Sequence, residues 1–133
     1  MEAYKSTFQT IRVYEDLKLL AKEWTTDTEY MSEQKFKEEV EKIAEVAEKY
    51  KVEKFHDNTT NFLFPISPEL QTWVNESIFT RFIGAGLRKY ALIVSKEMIA
   101  QLSIEQTMEE DNASSFQVKY FDSPEKASEW LQS

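Results

Sequence analysis

The stretch "KYALIVS", residues 89–95, runs apolar without a break from Tyr90 to Val94. Side chains along a strand alternate between faces, so a strand apolar on both must be covered on both. The remainder of the chain therefore has to supply layers for two sides of a sheet. Helical patterns are there to do it. From Ser32 to Tyr50, the residues Phe36, Val40, Ile43, Ala47 and Tyr50 recur at alternating steps of four and three and draw one apolar stripe. Ser32 stands where an N-cap hydroxyl accepts an orphan first-turn amide. A second helix is expected from about Pro68 to Ala85, with Leu70, Val74, Ile78 and Phe82 on its buried line and Trp73 and Ile83 widening it. Gly84 and Gly86, the only glycines, lie where a left-handed C-cap is needed. "KEMIAQLSIEQTMEE" reads as a third helix and "SPEKASEWLQ" as a C-terminal one.

Between these lie strand patterns. "YKSTFQTIRVYED" carries Ile11 and Val13 in alternation, and "LKLLAKEW" carries Leu17, Leu19 and Ala21 on one expected face. The polar break at Glu15-Asp16 suits a hairpin. "VEKFHDNTTNF" and "FQVKYF" complete the set. The resulting order, ββαβαβαβα, predicts an α/β fold: one domain over residues 1–133, with a mixed, mostly parallel sheet, right-handed crossovers and an N-terminal antiparallel hairpin.

Charge excludes some functions. The net charge of −8 repels phosphate backbones, and the lysines interleave with glutamates instead of clustering, so nucleic acid is not an expected partner. No apolar run approaches the roughly 20 residues of a membrane-spanning helix. The start "MEAYKSTFQT" lacks a basic segment followed by an apolar one, and the chain is read as cytoplasmic. With no cysteine, thiol catalysis, disulfides and thiolate metal sites are excluded. No Gly-rich phosphate loop, nucleophile elbow or zinc pattern occurs. Neither catalysis, a cofactor nor a bound metal is expected.

The tripeptide Ser-Pro-Glu occurs at Ser67-Pro68-Glu69 and again at Ser123-Pro124-Glu125, each time just before a helical pattern. Serine caps the free amides, proline fits the first helical position, and glutamate suits the positive helix end. Capping accounts for both copies.

Taken together, "FHDNTTNFLFPISPELQTWVNESIF", "GLRKYALIVSKEMIAQLSIEQTMEE" and "VKYFDSPEKASEWL" resemble the STAS/SpoIIAA-like superfamily, specifically its branch of small STAS/SEC14 domain-containing proteins. The resemblance covers nearly the full length and implies a SpoIIAA-like fold. In the anti-sigma-factor antagonists of that superfamily, a serine opening the helix after the third strand is phosphorylated by a partner kinase. Ser67 maps to it, whereas Ile66 stands in place of the expected aspartate and Pro68-Glu69 replaces the small residues that follow.

In open parallel sheets, ligand sites gather beyond the C-terminal strand ends. Those ends place Trp24, Asp57, Asn58, Thr59, Ser95 and Asp122 as candidates. His56, the only histidine, neighbours Asp57, but adjacent strand residues point to opposite faces, so the two are not expected to cooperate. Phe62 and Phe64 belong to the core or form an apolar lip. Glu105, Glu109, Glu110 and Asp111 crowd the end of the third helix and read as a solvated acidic end. Two functions follow. The first is a non-catalytic interaction module that binds a protein partner or a second copy of itself, with aromatic residues to spare for an interface. The alternative is a small-molecule or lipid-binding protein with an apolar pocket near Phe62, Phe64 and the Ser67 helix.

Overall fold

The apolar stretch forms strand β5 (Lys89–Ile93) in the interior of a sheet, between β4 (Lys54–Asn58) and β6 (Gln117–Phe121). The computed structural model describes residues 1–95 and 117–133. Within them the sheet has six strands in sequential order: β1 (Glu2–Lys5), β2 (Gln9–Tyr14), β3 (Leu19–Trp24), then β4, β5 and β6. The β1–β2 and β2–β3 pairs are antiparallel, and the three later pairs are parallel.

The expected α/β class with an antiparallel start and a parallel remainder is observed. One expected first strand is in fact two, because the chain reverses at Ser6–Phe8 and adds β1 as an edge. The β2–β3 connection is a 3-10 turn (Glu15–Leu17), closed by Lys18 in the left-handed region at φ 50°.

Helix α1 (Glu33–Tyr50) joins β3 to β4. Ser32 caps it by accepting from the Lys35 amide at 3.1 Å. Between β4 and β5 run α2 (Pro68–Trp73), a π-helical turn (Val74–Ile78) and α3 (Phe79–Ala85). Both crossovers advance in one direction along the sheet, so their helices fall on the same face and pack there in one core. Helix α4 (Pro124–Leu131) covers the other face, where Ala127 and Leu131 meet Ala91 and Ile93. The two phases of β5 are thus buried against different layers. On the inner side, fully buried Phe55 touches the Phe82 ring at 4.6 Å and the Tyr90 ring at 5.2 Å.

The π turn explains a spacing oddity. Leu70, Val74, Ile78 and Phe82 step by four each time, which in a pure α-helix drifts about 40° per step. The wider turn at Val74–Ile78 resets the stripe, leaving Leu70, Ile78 and Phe82 buried and Ile83 exposed. Of the two glycines, Gly86 alone is the left-handed C-cap, at φ 110° with paired bonds Gly86 N–H to Ile83 O and Leu87 N–H to Phe82 O. Gly84 lies within α3. The expected third helix and its acidic end at Glu105–Asp111 lie outside the described residues.

Candidate functional site

Leu17, Leu19 and Ala21 were expected on one face of strand β3; Leu19 and Ala21 do share a face, the one turned toward α4, while Leu17 is exposed in the turn. The row turned to the inner helices is Leu20, Lys22 and Trp24, all buried. Apolar residues occupy both phases of this segment, and the pairing with β2, Val13 to Leu20 and Ile11 to Lys22, selects the row that carries a lysine. Parallel pairing with β4 then sets Lys22 directly beside Asp57.

The Lys22 ammonium donates to Asp57 Oδ1 at 2.8 Å, and the Tyr90 hydroxyl donates to Asp57 Oδ2 at 2.5 Å. Tyr90 starts two paired positions earlier along β5, opposite Phe55, and its length carries the hydroxyl to the carboxylate. The Lys22 Nζ also lies 4.0 Å from the centre of the Trp24 ring, within cation–π range. Lys22 and Asp57 are only 3% and 5% exposed, which places an ion pair almost wholly out of water. Burial holds the Lys22 amine below the usual lysine range, opposed by the Asp57 carboxylate and more weakly by Glu39. Burial first, then the Asp57 charge, pushes the Tyr90 hydroxyl well above the usual tyrosine range.

This trio forms the floor of a cavity of about 760 Å³ between the sheet and the inner helices. Its walls are aromatic and aliphatic, with Trp24, Phe36, Phe62, Phe79 and Phe82 among them. Its rim includes Gln71 and Asn75, one turn apart, exposed and joined by a 3.1 Å side-chain hydrogen bond. The π turn supplies Val74, Asn75 and Ile78 to the lining, and such turns recur where a helix is reshaped around a site. Among the described residues, no three carboxylate or histidine side chains converge to hold a metal ion.

No protein-family model matches the chain, and no curated protein or solved structure matches it either.

A second buried carboxylate, Glu39 on α1, accepts from Tyr4 Oη and Ser6 Oγ at 2.8 Å each and from Gln9 Nε2 at 2.9 Å. Gln9 Nε2 also reaches the Glu39 carbonyl at 2.9 Å. These bonds lash β1 and β2 to α1 and have a structural role.

The candidate residues separate clearly. Asp57 is the centre of the site, and Thr59 and Phe62 line the cavity, with Thr59 Oγ1 anchored on Ile93 O at 2.8 Å. Phe64 is buried against Phe36 at 5.0 Å between ring centres, a core contact rather than a lip. Asn58 accepts from the Thr60 amide at 3.1 Å, a local turn contact. Ser67 caps α2 by accepting from the Leu70 amide at 3.2 Å, and Ser123 does the same for α4 from Lys126 at 3.4 Å. Ser95 is exposed beyond β5. His56 faces away from Asp57, with Nε2 3.2 Å from Pro124 O. Sequence reasoning missed Lys22 and Tyr90. The signal for Lys22 was its place midway between Leu20 and Trp24 at strand spacing.

Proposed function

We propose that the protein binds a small, largely apolar organic molecule in the cavity above Lys22, Asp57 and Tyr90. The observation that carries this is a buried, hydrogen-bonded ionic trio at the floor of an apolar cavity whose rim includes Gln71 and Asn75. Ligand sites combine these elements: an apolar body that supplies affinity and a few placed polar groups that fix orientation. A buried ion pair is weak evidence for stability, since apolar residues of the same shape do as well or better, so its presence here calls for another use. The role is binding and not catalysis. The resemblance to STAS/SEC14 domain-containing proteins belongs to the same proposal, with the mixed sheet agreeing at the level of class and the ligand pocket corresponding to its SEC14 side.

Titration with N-phenyl-1-naphthylamine, an uncharged probe that fluoresces in apolar surroundings, tests the reading. Saturable binding at one probe per chain is expected. Val74→Trp, which fills the cavity from the half-buried helix wall, should abolish it while leaving the circular dichroism unchanged. Absence of probe binding by the wild type, or full binding by the filled variant, would refute the cavity as the site.

A further inference from the structure

The inference concerns the chemistry of the occupant and rests on the cavity being a ligand site. Lys22 and Asp57 are the charged groups among the described lining residues, and they neutralise each other across 2.8 Å. Both Asp57 oxygens already accept, one from Lys22 and one from Tyr90. The ammonium has three N–H groups; its hydrogen bond among the described residues is the one to Asp57, and the Trp24 ring lies 4.0 Å from the nitrogen, so the donor capacity that remains is at the edge where Lys22 borders the cavity. We infer that the occupant is a neutral amphiphile, an apolar chain or ring system with one hydroxyl, ester or carbonyl oxygen that accepts a hydrogen bond from Lys22, and that carboxylates and other anions are discriminated against.

A neutral acceptor leaves the floor at zero net charge and satisfies a buried donor. An anion would share one ammonium with Asp57 and leave a net negative charge in a poorly solvated space, which is strongly unfavourable. Glu39 lies near enough to act on Lys22 and adds negative potential from the α1 side. The chain as a whole carries −8, so longer-range attraction does not rescue an anion. A cationic ligand fares no better, because it would sit beside the Lys22 ammonium and leave a net positive charge in the same poorly solvated space.

Displacement of N-phenyl-1-naphthylamine by decane, 1-decanol and decanoate at pH 8 tests the inference, because the three probes share a chain and differ in the head. In the wild type, decanol should compete at least about tenfold better than both decane and decanoate, the value of one hydrogen bond to a charged donor. In Lys22→Met/Asp57→Leu, the advantage of decanol over decane should vanish, which separates head-group recognition from simple partitioning. Lys22→Gln/Asp57→Asn should show a reduced advantage and supplies the readout if the apolar pair fails to fold. Equal or tighter binding of decanoate, or a decanol advantage undiminished in the variants, with the fluorescent probe still bound, would overturn the head-group inference and leave the cavity reading standing. A wild type that does not bind the fluorescent probe would overturn both.

Discussion

Replacing Asp57 by alanine strands the Lys22 ammonium in a site where it is 3% exposed, and leaves the Tyr90 hydroxyl without its acceptor. Breaking a buried ion pair from one side costs about 3–5 kcal/mol. The amine can escape by deprotonating, and this limits the loss. Holding a lysine neutral at pH 7 costs about 1.4 kcal/mol for each of the roughly 3.4 units below its ordinary pKa, near 5 kcal/mol in all. The unpaired hydroxyl adds about 1 kcal/mol. Since domains of this kind have total stabilities of about 5–15 kcal/mol, Asp57→Ala should be severely destabilised. Removing both charges relieves most of this loss, and Lys22→Met/Asp57→Leu should lie within about 2 kcal/mol of the wild type, the unpaired Tyr90 hydroxyl being the cost that stays. Urea denaturation followed by tryptophan fluorescence, with the denaturant slope held common, measures both. A double variant as unstable as Asp57→Ala would refute the reasoning, because the pair would then be a stabilising element and its presence would need no ligand.

The same trio predicts a pH profile. The Lys22 pKa is lowered on folding, so the unfolded chain holds more protons between the folded value and the ordinary 10.5, and stability should rise with pH across that window. Tyr90 has the opposite sign. Its raised pKa keeps a proton that the unfolded chain loses near 10.0, so stability should fall above about that pH, and Tyr90→Phe should remove that part of the fall in thermal melts. As an N-cap, Ser67→Ala should cost about 0.5–2 kcal/mol while Ser67→Asp is nearly neutral, and protein from growing cells should carry no phosphate at Ser67; phosphate found there would show the serine to be a switch. Glu39→Ala unties Tyr4, Ser6 and Gln9, and should cost about 2–4 kcal/mol with faster hydrogen exchange in β1 than in β4; unchanged exchange in β1 would contradict the tether.

Much of the fold is legible in local pattern. The helical stripe from Phe36 to Ala47 is buried as its spacing predicts, and all three serine caps are in place. What local pattern leaves open is phase and insertion. Leu17, Leu19 and Ala21 read as an inward row as well as Leu20 and Trp24 do, and the choice between them is made by pairing with β2, a contact remote in sequence. The four-residue steps of Leu70, Val74, Ile78 and Phe82 held the trace of the π turn, since a plain α-helix cannot keep them aligned. The site was half visible. Asp57 and Phe62 stand out near a strand end, but Lys22 and Tyr90 join them through sheet register, and a lysine is a poor candidate for burial until a carboxylate is known to lie beside it. Phe64 and Ser67, each eligible by position, are taken up by packing and capping.

The central claim is that the cavity holds a molecule. Native mass spectrometry of protein isolated from the cells that make it, followed by denaturation and analysis of what is released, tests it most directly. The account predicts a chain carrying one neutral organic molecule that leaves on unfolding, and a Val74→Trp variant from the same cells at the bare mass of the chain. An adduct retained in full by the filled variant, or a wild type at bare mass that also takes up none of the neutral probes, would contradict it.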